Sequence, residues 1–217
     1  MMSSTSPVAP LDPVLVQVLE DAASWRLLGR LFECPSDAWR ADVAALSSEA
    51  TEPELVAAAS AALDEASEGL YHSMFGPGGP APPREVSYHD SLELGSVMSS
   101  VTGYYQAFGY LPSLVESPDH VAVETGFLAF LAMKQAFAMM EGDGGHFEIT
   151  ARAAADFRTD HVAVYAERLA AILSQAPVSY LQLASTVLAD RVGPRPGPKL
   201  LPVIQAPLDD DEFGCEA

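Results

Sequence analysis

From Val14 onward apolar residues return every three or four positions, and Val14, Val18, Ala22, Trp25, Leu28 and Phe32 draw one stripe along a helix. Cys34-Pro35 ends that stripe, and Pro35-Ser36-Asp37 supplies the start of a second helix over 38–48 with weak amphipathy. Thr51-Glu52-Pro53-Glu54 predicts the next start, because proline is tolerated in the first turn and acids suit the positive end of the helix dipole. The alanine-rich run to Glu68 has high helix propensity and leads to Tyr71 and Phe75, one turn apart. Residues 76–83 are too rich in proline and glycine for regular structure. Helical spacing resumes from about Asp90 to Phe108 through Leu92, Val97, Val101, Tyr104 and Tyr105. After a loop over 109–117, a helix apolar on nearly all sides is predicted from Pro118 to about Met140. Glu141 to Gly145 breaks the chain again. Phe157, His161, Val164, Leu169 and Ile172 then share a face, and Pro177 opens a last helix running to about Asp190. No period-two pattern persists, so the expected fold is all-α, a single-domain bundle of six or seven main helices over 13–192. A flexible arm over 1–12 and a proline-rich, then acidic, tail over 193–217 are expected to flank it.

Composition narrows the partners. The chain has 217 residues, 49% of them hydrophobic, enough for one sizeable core. It carries 11 basic against 30 acidic residues, a formal net charge of -19. Such a surface repels phosphate backbones, which argues against nucleic acid, and attracts a basic partner. Neither a G-x-G-x-x-G nor a G-x-x-x-x-G-K-[ST] motif occurs, so no nucleotide cofactor is expected. Cys34 and Cys215 show no metal spacing and no disulfide framework, which suits a reducing compartment. The first ten residues lack a basic n-region and Val14 to Leu19 is too short for a signal h-region, so a cytoplasmic location is expected. Val121 to Met140 approaches the length of a membrane span, but it contains Glu124, Lys134 and Gln135 and has no basic flank. The central helix of a bundle explains it better than membrane insertion.

At the mouth of that helix stands Glu116-Ser117-Pro118-Asp119-His120-Val121-Ala122-Val123-Glu124. Capping chemistry accounts for Ser117 as N-cap, Pro118 at the first helical position and Asp119 in the first turn. It does not account for Glu116, His120 or Glu124 beside so apolar a helix. Polar groups converging beside an apolar core are what a binding site needs. Glu116, Asp119, His120 and Glu124 could hold a basic peptide end. His161 lies on an apolar stripe, as a core histidine or as part of the same pocket as His120. Tyr88, Tyr104 and Tyr105 are candidates for pocket lining or for the core. Two other classes stay open: a helical adaptor, and a metal-dependent hydrolase using His120, Glu124 and His161, although zinc needs three or four convergent ligands.

Two motifs give the chain a resemblance to the TorD/DmsD/NarJ family of redox-enzyme maturation chaperones. Glu116 to Glu124 fits the family pattern of Glu, a proline-containing pair, Asp-His, three variable positions and Glu. Tyr71-His72-Ser73-Met74-Phe75 resembles the family's aromatic, two variable positions, Leu and Phe, with Met74 in place of Leu. Phe157 followed four residues later by His161 is similar too, with Tyr165 near the place of the family's usual Trp. The resemblance implies an all-α chaperone, not an enzyme, that binds the twin-arginine leader of a molybdopterin enzyme's catalytic subunit. It implies that export waits until the molybdenum cofactor is inserted. It also implies a peptide site at Tyr71, Phe75, Glu116, Pro118, Asp119, His120 and Glu124, and a homodimer formed by helix swapping as one oligomeric form.

Overall fold

Local capping chemistry sets the first helices of the structure, a computed structural model that describes residues 11–89, 94–113 and 115–194. Helix α1 (Pro13–Leu31) begins where the Asp12 carboxylate accepts the Val14 amide at 2.8 Å, with proline in the first turn. Ser36 does the same for α2 (Asp37–Glu49), accepting the Trp39 amide at 3.2 Å. Helix α3 (Pro53–Glu65) starts on the proline after Glu52. The chain then leaves the helix at Ala66, and Ser67 starts a separate α4 (Glu68–Phe75) by accepting the Leu70 amide at 3.3 Å. Arg40 of α2 makes this break stable. Its guanidinium donates to the Leu63 and Ala66 carbonyls at 2.7 and 2.6 Å, satisfying groups at the end of α3 that would otherwise lack partners.

A proline- and glycine-rich loop follows, then a 3-10 turn (Glu85–Tyr88), α5 (Leu94–Phe108) and α6 (Val121–Glu141). Helix α7 (Gly144–Phe157) runs through a π-helical segment (Arg158–Val162) into α8 (Ala163–Leu173), and α9 (Ser179–Val192) closes the bundle. Because α7 and α8 are continuous, the described residues form eight rods, one more than the expected range, and the extra one is the break at Ser67. The fold is all-α and single-domain, as the sequence predicts. Among the described residues the one piece of β-type pairing is an isolated antiparallel bridge between Arg84 and His120. Leu92, Cys215, most of the expected arm and nearly all of the expected tail lie outside the described residues.

Helix α6 is the axis of the bundle, and α1 lies along it in the most extensive helix contact. Gly29 permits that closeness: a Cβ there would come within 2.9 Å of Thr125 Oγ1 and 3.3 Å of the Ala122 carbonyl. Gly29→Ala is therefore expected to destabilise the protein by about 1–3 kcal/mol despite alanine's better helix propensity, read as a lower urea midpoint. Arg191 of α9 locks the opposite side, donating to Glu52 at 2.8 Å and to Asp21 while its guanidinium lies over the Trp25 ring.

Helix α6 is long and apolar enough to cross a membrane, yet 72% of its most apolar stretch is buried inside the bundle. The burial is uneven. From Val121 to Ala132 nearly every side chain is enclosed, whereas Met133, Phe137 and Met140 face outward.

Candidate functional site

The Glu116–Glu124 segment does not start its helix where Ser117-Pro118 predicts. Residues 117–120 form a turn closed by the His120 amide donating to the Ser117 carbonyl at 2.9 Å, and α6 begins at Val121. His120 is the N-cap, its Nδ1 accepting the Ala122 amide at 3.1 Å. That bond assigns the tautomer: the neutral ring carries its proton on Nε2, which points at the Tyr71 hydroxyl oxygen 3.3 Å away. Burial pushes the His120 ring down to about 4, against the pull of the Asp119 carboxylate, so it is neutral near pH 7. The Tyr71 hydroxyl keeps its own proton. Burial first and the Glu116 charge second raise its pKa.

Ser117 spends its hydroxyl on Asp119 Oδ1 at 2.6 Å rather than on a helix cap. Asp119 is fully buried and also accepts from Arg84 Nε at 2.8 Å and from the Val86 amide at 3.3 Å. Two backbone bonds of 2.8 Å, from the Glu85 amide to Asp119 and from the Val121 amide to Pro83, stitch the same two segments. The Tyr105 hydroxyl donates to the Pro118 carbonyl at 2.8 Å. Phe75 packs on Phe32 and Tyr71. Of the seven residues expected at a peptide site, Tyr71, Phe75, Asp119, His120 and Glu124 are thus interior, Pro118 is half-buried and Glu116 is exposed.

One turn into α6 lies a second polar group. Glu85 accepts from His89 Nε2 at 2.8 Å and from His161 Nδ1 at 2.9 Å, and His161 Nε2 meets the Ser100 hydroxyl at 3.0 Å. His161 rides on the π-helical segment, whose wider turn shifts the phase of the helix there; such segments recur at functional sites. Glu124 is enclosed beside this group, and among the described residues neither carboxyl oxygen has a hydrogen-bond partner. Glu85 and Tyr165 are its polar neighbours. Burial and the Glu85 carboxylate push Glu124 well above the usual carboxylate range. Burial would raise Glu85 too, but the hydrogen bonds and charge of His161, with the bond from His89, outweigh it and hold Glu85 below that range. The two carboxyls are driven apart, Glu85 toward the ionised form and Glu124 toward the protonated one.

Tyr104 stands edge-on to Phe157 and His161, with ring centroids 5.2 and 5.7 Å away. Tyr88 is buried and donates to the Pro82 carbonyl at 2.7 Å. Tyr88, Tyr105 and His161 therefore belong to this interior, and Tyr104 is half-buried against it. Both ring nitrogens of His120 and of His161 are engaged within the protein. Among the described residues no group of three His, Cys, Asp or Glu side chains is placed to hold a metal ion, so His120, Glu124 and His161 do not form a ligand set. The sequence reading does not single out Arg84 or Glu85. The signal it held was two opposite charges directly after a proline pair.

The outer half of α6 presents different chemistry. Two adjoining cavities of about 650 and 640 Å³ share Leu19, Phe130 and Met133 and so form one groove along α6, walled by α7 over one chamber and by α1 over the other. One chamber continues over Phe137 and Met140 to Glu141 and Asp143; the other runs over Gly126 to Tyr110 and Leu111. Met133, Phe137 and Met140 are 52%, 64% and 68% exposed. A contiguous apolar stripe of this kind marks an interaction surface, and methionine lets such a surface adapt to its partner.

The sequence model of the nitrate reductase delta subunit family matches residues 36–175, from the cap of α2 to just past α8. The chain belongs to that family. The matched span contains the whole Glu116–Glu124 segment, Glu85, His161 and the α6 side of the groove. No curated protein matches the chain. The nitrate reductase delta subunit family is one of redox-enzyme maturation chaperones, acting on the catalytic subunit of nitrate reductase. Membership gives this chain a chaperone role in molybdoenzyme maturation. In this delta-subunit relative the polar turn anchors α6 on the loop before it, and the apolar groove lies farther along the same helix.

Proposed function

We propose that this chaperone binds, in the cytoplasm, the twin-arginine leader of a molybdopterin oxidoreductase catalytic subunit, and delays its export until cofactor insertion is complete. The observation that carries the reading is the exposed groove along α6. A leader of this kind joins a basic n-region to an apolar h-region. The groove offers the apolar segment a floor of Phe130, Met133 and Phe137, and a chain with net charge -19 draws in the basic one. In this reading Asp119, His120, Tyr71 and Phe75 act by position: they fix the first turn of α6 and the loop before it. Glu116 is the one carboxylate of the segment that faces solvent.

The test is a titration of a synthetic twin-arginine leader into the full-length protein. Met133→Asp with Phe137→Asp should weaken binding at least about tenfold, because two apolar contacts are lost and charge is placed on the groove floor. Replacing both leader arginines by glutamine should remove the salt-sensitive part of the affinity. Unchanged affinity in the folded double variant would sink the groove as the leader site.

A further inference from the structure

The groove has unlike ends. Resting on the proposal that it receives the leader, we infer that the leader lies along it as a helix antiparallel to α6, its basic end at the α6 C-terminus and its apolar end against Tyr110 and Leu111.

Length favours a helix. The α6 floor from Gly126 to Met140 is about 21 Å long, which holds about 14 residues of helix but only about six of extended chain. The floor residues Gly126, Phe130, Met133, Phe137 and Met140 recur at helical spacing, with α1 as the wall of one chamber through Leu19 and Ala22 and α7 as the wall of the other through His146 and Thr150. A ridge of side chains on a second helix fits such a furrow.

Charge sets the direction. At the α6 C-terminus, Glu141 and Asp143, the N-cap of α7, line the chamber where the negative end of the α6 dipole meets the positive end of α7's. The Asp143 carboxyl is held below its usual range, first by the His146 amide and then by the His146 ring, so it stays ionised. At the far end Arg26 lines the chamber with Glu49, and Arg30 on the next turn of α1 is paired with Glu33 and Asp42. Lys134, between the two ends, holds its ammonium 5.3 Å from the centre of the Phe130 ring. A peptide whose arginines precede its apolar run therefore meets two carboxylates at the α6 C-terminus, and one carboxylate beside a guanidinium of like charge if it enters the other way.

The probe is a synthetic peptide of two arginines followed by about twelve apolar residues, a length set by the groove. It carries a nitroxide at its first or its last position and is added to full-length protein with labelled Met133, Met140 and Leu111 methyl groups. The first-position nitroxide should broaden Met140 and spare Leu111 in the NMR spectrum, and the last-position nitroxide should do the reverse. Glu141→Lys and Asp143→Lys should each weaken binding about two- to fivefold. The opposite broadening pattern, or equal broadening of both methyls by both probes, would overturn the direction and leave the groove as the site. Binding that broadens none of the three would overturn the groove itself. In peptide-free samples, methyl shifts that grow with protein concentration would assign the groove to a second copy of this chain and overturn the proposal.

Discussion

Replacing Asp119 by alanine is expected to cost the fold about 3 kcal/mol while leaving leader affinity, measured where the variant is still folded, nearly unchanged. Its carboxylate accepts from Arg84 Nε, the Val86 amide and the Ser117 hydroxyl, and it is fully buried. Alanine strands those donors and removes the clamp between the loop before the 3-10 turn and the start of α6. The Arg84 side chain is 39% exposed and can turn to water, which keeps the loss below that of a wholly enclosed pair. Asp119→Asn retains an acceptor for Ser117 and Val86 but gives up the charge facing Arg84, so about half the loss is expected. Urea unfolding measures the stability, and a leader titration well below the unfolding transition measures the affinity. If Asp119→Asn abolished binding at near-normal stability, Asp119 would receive the leader directly, and its role as an anchor of the turn would be wrong.

The distinction matters because spacing alone cannot separate a carboxylate that meets a ligand from one consumed inside the fold. Asp119, His120 and Glu124 stand together in the sequence, and their grouping beside α6 is legible there. Their partners are not. Arg84 reaches Asp119 across 35 positions, Tyr71 reaches His120 across 49, and His161 reaches Glu85 across 76. Only the path of the chain brings these together. Most helix starts were readable because capping is local: Ser36 and Pro53 act on the residues that follow them. At Ser67 the cap is just as local, but the end of α3 before it is held by Arg40 from another helix, and that contact leaves no mark in the nearby sequence. The π-helical segment leaves no mark in a pattern where Phe157 and His161 keep ordinary spacing. Helix α6 shows the limit from the opposite direction. Its apolarity reads as that of a core helix, which holds for Val121 to Ala132. From Met133 to Met140 the same apolarity belongs to the groove, and hydropathy has no means of telling a buried face from one awaiting a partner.

Glu124→Gln is expected to stabilise the protein by an amount that grows as pH rises. The folded state holds Glu124 protonated, because burial and the Glu85 carboxylate raise its pKa well above the ordinary 4.5. The unfolded chain releases that proton near 4.5. Between the two values the folded state binds one proton more than the unfolded state, so raising the pH favours unfolding by about 1.4 kcal/mol per unit. Glutamine keeps the shape and removes the titration, and its advantage should widen by up to that amount per unit until the folded-state value is passed. Glu85 works in the opposite sense. Its pKa is lowered in the fold by His161 and His89, so its contribution is present above 4.5 and is lost as acid protonates it. Removing Glu124 should therefore leave the acid limb of the stability profile in place and lift the neutral and alkaline limb. Urea denaturation of both proteins at pH 5, 6 and 7 reads the difference directly. A constant gap across these three values would mean that Glu124 is ionised in the fold. Its carboxylate would then need a cationic partner, and a leader arginine would become a candidate for that role.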